Sequence, residues 1–271
     1  MNADSNVPKA PDYGLDAPGV VRNLFAAAAV GLLFWGLRAL GFWSGLLTIP
    51  LFGLKFVFPL PAIGLATGAT CGFMGAWMVY ESQRGKLRRR ERLLDRIVWS
   101  GREQVLDVGC GRGLMLIGAA KRLITGRATG IDIWQAEDLS NNHAGAALEN
   151  ARLEGVAQRV ELKTADMRQM PFPDETFDVV VSRVAIHNLY QIGERAQAIS
   201  EIARVLKPGG VVLIDDIRHH QEYAAVLSRK GCAEIRRLDT PIVSWLLTVL
   251  SMGSLRPGTL LARKSLSQRL G

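Results

Sequence analysis

"QVLDVGCGRG" (104–113) sets a short apolar run, broken only by Asp107, directly before three glycines at alternate positions, Gly109, Gly111 and Gly113. A strand that ends in such a turn needs dihedrals that glycine adopts freely, and the missing side chains let a ligand approach the main chain. Downstream, "LMLIGAAKRLI" has helical spacing and "RATGIDIW" is a second apolar run with Asp132 near its end. "NNHAGAALENARLEGV" reads as an amphipathic helix that begins with asparagine caps and stops at Gly155. "RVELKTAD", "FDVVVSRVAI" and "GVVLIDDI" supply further runs rich in β-branched residues, and the helix "GERAQAISEIARVL" ends before Pro208, Gly209 and Gly210. Strand and helix alternating in this way predict an α/β fold with a doubly wound, mostly parallel sheet.

In such a sheet ligands bind outside the carboxyl ends of the strands, at the switch point. Gly109, Cys110, Gly111 and Gly113 fall there, with the N–H groups of the following helix expected to face the site. Asp132 lies nineteen residues beyond Gly113, where its carboxylate can accept ribose hydroxyls. A glycine turn followed by an acid serves several nucleotides. The dinucleotide fingerprint, however, is GxGxxG, and this series is Gly109-x-Gly111-x-Gly113 with an acid at 107.

These residues resemble the class I S-adenosylmethionine-dependent methyltransferases, whose first motif reads acid-x-Gly-x-Gly-x-Gly. "LDVGCGRG", "GIDIW", "ADMRQMPFPDETFDVVVS" and "EIARVLKPGGVVLIDD" occur in that family's order, and the resemblance runs from about residue 103 to 235. It implies a Rossmann-like methyltransferase fold with S-adenosyl-L-methionine as cofactor. Asp107 and the loop Gly109–Gly113 would then face the methionine part, and Asp132 the ribose. Ile133 and Trp134 would pack near the adenine, Asp166 would accept its amino group and Met167 would cover the ring. Ser182 and the residues up to His187 would face cofactor and acceptor. The loop "IDIWQAEDLSNN" is longer than is usual in the family.

Methyl transfer from a sulfonium is an in-line displacement, so orientation and exclusion of water are the expected contributions of the protein. A base is needed only where the acceptor must lose a proton, and His187 is the histidine placed to act as one. "DDIRHH" (215–220) has donors a metal would accept, but a strand end and a helix start account for them, and no metal is expected. A nicotinamide-dependent oxidoreductase, or a tethered cofactor-binding sensor or scaffold, are the alternatives.

The chain has 271 residues, 48% of them hydrophobic, which allows one full core with material left over. From Leu24 to Tyr80 the only charged side chains are Arg38 and Lys55. Residues 1–22 read as a disordered lead and 23–80 as an α-helical transmembrane hairpin. Its helices would be 24–43 and 61–80, with Gly64, Gly68 and Gly72 on one close-packing face. Residues 44–60, with Pro50 and Pro59, read as a membrane-hugging turn. Residues 81–102 form a basic juxtamembrane segment and 103–271 the cofactor-binding domain. "RGKLRRRERLLDR" (84–96) holds seven basic and two acidic side chains, which places it at anionic headgroups on the cytoplasmic side, with the catalytic domain facing the cytoplasm. No aromatic interleaving accompanies that charge, so nucleic acid is not an expected partner. With "TPIVSWLLTVLSMGSL" (240–255), apolar but too short to span, the anchor points to a small or lipid-like acceptor.

Overall fold

The computed structural model describes residues 10–135, 137, 139–238, 245, 248 and 256–266. Most of the segment 240–255 thus lies outside the described residues. The chain divides into two compact units, Gly14–Arg88 with Gln135–Asn141, and Met1–Tyr13 with Arg89–Trp134 and Asn142–Gly271.

In the first unit α1 spans Pro18–Ala39 and α2 spans Leu60–Tyr80, each with a proline in its first turn, where the missing N–H costs nothing. The first helix therefore starts and ends earlier than the expected 24–43. Both are long and apolar enough to cross a membrane by length and composition. They meet through glycine: a Cβ on Gly31 would lie 2.4 Å from the Gly64 carbonyl oxygen, and one on Gly64 would lie 2.7 Å from that of Gly31. A Cβ on Gly72 would come no nearer than 3.6 Å to Ala28, an ordinary contact, so Gly72 is not needed for the approach as Gly64 is.

Residues 44–60 hold more than a turn. β1 (Leu46–Leu51) pairs antiparallel with β2 (Leu54–Pro59) through Phe52 and Gly53, whose φ of 53° and 80° suit a two-residue hairpin. Every residue of both strands is exposed.

Two further corrections concern the segments flanking the hairpin. The expected disordered lead is ordered from Ala10 onward in the described residues. Leu15 N–H donates to Ser140 Oγ at 2.8 Å, and Asp16 bridges Leu139. The extra length after the second parallel strand is thus used to hold the N-terminal segment. The basic block is also split. Lys86 is buried, donating to Gly14 O at 2.7 Å and Asp16 Oδ1 at 3.0 Å, whereas Arg84, Arg88, Arg92 and Arg96 are exposed at four-residue spacing.

α3 spans Lys86–Leu94. The second unit is a seven-stranded sheet with α4 (Leu114–Ala120), α5 (Ala144–Leu153), α6 (Ile192–Val205) and α7 (His220–Arg229). Its strands are β3 (Gln104–Val108), β4 (Arg127–Asp132), β5 (Val160–Thr164), β6 (Phe177–Arg183), β7 (Leu206–Asp216), β8 (Cys232–Arg237) and β9 (Gly258–Lys264). The order is β5-β4-β3-β6-β7-β9-β8, parallel except for β9. The connections move one way from β3 to β5 and the other way from β6, which puts the switch point between β3 and β6. Leu106, Val108, Val180, Ile199, Ile202 and Ile214 are among the buried side chains that pack the sheet against its helices. The cap of α5 is His143, whose ring accepts from Ala146 N–H at 3.1 Å, in place of the expected asparagines.

Candidate cofactor and acceptor site

The carboxyl ends of β3 to β7 bring together most of the residues singled out by the sequence. At the end of β3 the N–H groups of Gly109 and Cys110 both donate to Ile131 O, at 2.9 and 3.0 Å, and bend the loop toward β4. Gly109 and Gly113 have φ of 71° and 86°. A Cβ on Gly109 would fall 2.4 Å from Ala185 Cβ, so glycine is required there by conformation and by space. Met167 Cε would lie 3.6 Å from the same point, which puts Met167 beside the loop.

Asp107 is buried, and its Oδ2 accepts from Leu116 N–H at 2.8 Å. It ties the first turn of α4 to the strand, so that amide is directed at Asp107 rather than at a ligand. Burial pushes its carboxyl up to about 7, against the Leu116 bond, with the negative Asp132 adding to the rise. Cys110 is buried too, and burial raises its thiol well above the ordinary range, which removes it as a nucleophile.

Asp132 organises the loop. Its Oδ2 accepts from Gly111 N–H at 2.7 Å and its Oδ1 from Trp134 N–H at 2.6 Å. A carboxylate has about four acceptor sites, so capacity remains for hydroxyl donors. Ile133 is exposed beside it. Trp134 has φ of 62°, and its Nε1 donates to Thr164 Oγ1 at 2.8 Å, which fixes the indole across the ends of β4 and β5. Asp166 is more committed than expected. Arg168 donates to it through Nε at 3.0 Å, Nη2 at 2.6 Å and its backbone N–H at 2.8 Å, holding the carboxyl below its usual range.

Ser182 departs from its expected place facing cofactor and acceptor. It is buried, and its hydroxyl donates to Val108 O at 2.8 Å, bracing β6 against β3. The chain then turns sharply at Val184, whose φ of 50° is rare for a β-branched residue and marks stored strain at the strand end. His187 follows on a short turn. Its Nδ1 lies 2.6 Å from Asp216 Oδ1, and its backbone N–H donates to Asp216 Oδ2 at 3.1 Å. Tyr223 donates its hydroxyl to the same Oδ2 at 3.1 Å. Arg195 holds the loop from beneath, donating to the carbonyls of Leu189 and Tyr190 at 2.8 and 2.9 Å.

Asp216 and Tyr223 escaped the sequence reading. An acid at the end of β7 was visible, but its pairing with a histidine 29 residues earlier was not. Asp215 beside it is buried and bonded to Arg89 and Thr259. Among the described residues, no group of three or more His, Cys, Asp or Glu side chains is arranged to hold a metal.

Fold, switch point and glycine loop together define a nucleotide-binding α/β domain. More narrowly, residues 106–214 match the family described as methyltransferase domain. The chain is 35% identical over 130 residues to methyltransferase GfsG of Streptomyces halstedii, covering 48% of this chain and 43% of that protein. It is 33% identical over 139 residues to phosphatidylethanolamine N-methyltransferase of Cereibacter sphaeroides, covering 51% of this chain and 63% of that protein. The chain thus spans about two-fifths of the first relative's length and somewhat under two-thirds of the second's. Geranyl diphosphate C-methyltransferase from Streptomyces coelicolor A3(2) shares the fold, with a TM-score of 0.54 at 18% identity over 69% of this chain and 82% of that one.

Proposed function

We propose that this protein is a membrane-anchored S-adenosylmethionine-dependent methyltransferase that acts on a small or lipid-like acceptor. The observation that carries the reading is the bare loop Gly109–Gly113, within the matched methyltransferase domain and hydrogen-bonded to Asp132. Its cofactor is S-adenosylmethionine, and the residues fit that group. Asp132 keeps acceptor capacity after binding the Gly111 and Trp134 N–H groups, and the exposed Ile133 stands beside it.

Bound there, the cofactor supplies a methyl group on a sulfonium leaving group, so the protein needs no nucleophile of its own. Asp132 would take the ribose hydroxyls, with Ile133, Trp134 and Met167 against the adenine. Asp166 would receive the adenine amino group on a lone pair that Arg168 leaves. Asp107 acts from behind by holding the loop and α4 in register. On the acceptor side, Asp216 at His187 Nδ1 favours the tautomer with its proton on that nitrogen, which leaves the lone pair on Nε2. His187 would accept the acceptor's proton as the methyl transfers, and orientation of the partners contributes up to roughly 7–11 kcal/mol.

Anchoring is supported by the two apolar helices and by the exposed arginines at 84, 88, 92 and 96, whose charge suits anionic headgroups. In that arrangement the catalytic domain faces the cytoplasm. The acceptor class is supported by the exposed Tyr190 and Ile192 just beyond His187, an apolar rim that suits an apolar molecule. The similarity to a phosphatidylethanolamine N-methyltransferase agrees with such an acceptor.

The test incubates the full chain and isolated membranes with methyl-labelled cofactor and follows label into lipid, protein and soluble fractions. Label in an extractable lipid or small molecule is expected. Tighter binding of NAD than of S-adenosylhomocysteine by the same preparation would reject the reading in favour of an oxidoreductase. Cofactor binding with no label transferred to any fraction would favour a sensor or scaffold.

A further inference from the structure

Two arginines converge on one carboxylate at the acceptor end of the sheet. Arg183 closes β6 in register with Asp215 of β7. The Asp215 carboxylate is already well supplied: Arg89 donates to its two oxygens at 2.8 and 2.5 Å, and Thr259 Oγ1 donates to Oδ1 at 2.8 Å. Arg183 obtains only a 3.4 Å contact from Nε to Oδ2, and that buried Nε makes no hydrogen bond. Asp215 is the one acidic partner of Arg183 among the described residues. Two guanidinium groups therefore share one carboxylate.

A mostly buried guanidinium whose Nε lacks a hydrogen bond gains from an anion at its remaining planar donors, which match phosphate and carboxylate oxygens. The position is where an acceptor belongs. Two residues further on, Ala185 abuts Gly109 of the cofactor loop, and four residues further on stands His187.

We propose that Arg183, braced with Arg89 on Asp215, is the anion-recognition residue of the acceptor site, and that the acceptor carries a phosphate or carboxylate group beside its apolar body. The proposal rests on the methyltransferase reading for the meaning of the site, but not for the binding of the anion.

The experiment uses the full chain in a nonionic detergent and titrates three probes: inorganic phosphate, dihexanoyl phosphatidate and the uncharged dihexanoylglycerol. Phosphatidate is expected to bind at least about tenfold more tightly than the neutral glyceride, and Arg183→Gln to lose about tenfold for phosphatidate. Arg183→Lys, which keeps the charge without the fork, should lose less and serves if the glutamine variant does not fold. S-adenosylhomocysteine affinity should stay within about twofold in either variant if Arg183 serves the acceptor alone. Phosphatidate tighter than inorganic phosphate assigns a lipid headgroup, and equal affinities assign a soluble anion; in both cases the loss in Arg183→Gln supports the site. Unchanged phosphatidate binding in the variants overturns the proposal, as does neutral glyceride binding equal to phosphatidate. An equal loss of S-adenosylhomocysteine affinity also overturns it, because Arg183 would then hold the cofactor's carboxylate. Failure of the wild type to bind S-adenosylhomocysteine while still binding phosphate would instead remove the methyltransferase reading and leave the anion site standing.

Discussion

His187 Nδ1 lies 2.6 Å from Oδ1 of Asp216, and the second oxygen of that carboxylate accepts from the His187 backbone N–H and from Tyr223. One acid therefore fixes both the ring and the turn that carries it. If His187 removes the acceptor's proton, His187→Ala should lower kcat by about 10²–10⁴ while S-adenosylhomocysteine affinity changes little. Asp216→Asn should lower kcat less, because an amide still contacts the ring. Steady-state kinetics with any acceptor found by label transfer checks this. Full activity in His187→Ala would show an acceptor that needs no base.

Asp132→Ala should weaken cofactor binding by about 1.5–3 kcal/mol, since charge-assisted bonds are lost and two loop amides are released. Calorimetric titration with S-adenosylhomocysteine measures it, and an unchanged dissociation constant in a folded variant would take Asp132 out of the site.

Burial raises the Asp107 carboxyl to about 7, so the native state holds a proton that the unfolded chain has released from about pH 4 upward. Stability should therefore fall as pH rises between about 4 and 7, and the contribution should level off above that. Asp107→Asn keeps an acceptor for Leu116 N–H without the charge, and should flatten this part of the profile. The gain above pH 7 should be of order 2–4 kcal/mol at most. Thermal midpoints of both proteins across that range, without cofactor, decide the matter.

Gly109→Ala places a methyl group 2.4 Å from Ala185 Cβ at a backbone φ of 71°. A cost of about 1–3 kcal/mol in stability is expected from overpacking alone, with a larger loss of cofactor affinity as the loop shifts. Urea unfolding alongside cofactor titration separates the two, and a neutral result would mean the loop is looser than its geometry.

In the helical hairpin, Gly31→Leu should separate α1 from α2, because its Cβ would meet the Gly64 carbonyl at 2.4 Å. Gly72→Leu, whose nearest contact is 3.6 Å, should be tolerated. Detergent thermal-shift assays compare the two. Release of wild-type protein from membranes by high salt alone would argue against spanning helices altogether.

Much of this was legible in the chain because it is encoded locally. Alternating strand and helix periodicity gave the parallel sheet, and the acid-x-Gly-x-Gly-x-Gly series gave the loop, since each depends on neighbours a few residues apart. A run from Leu24 to Tyr80 charged only at Arg38 and Lys55 likewise marked the apolar helices, but not the exposed β-hairpin between them. Only the tertiary structure decided which acids meet which bases. Ser182 turned inward to Val108, Asp166 went to Arg168, and His187 found Asp216. Arg89 reached Asp215 across 126 residues of chain. Sheet register sets such pairings, and register is fixed by the packing of the whole core rather than by any segment that contributes a single residue to it.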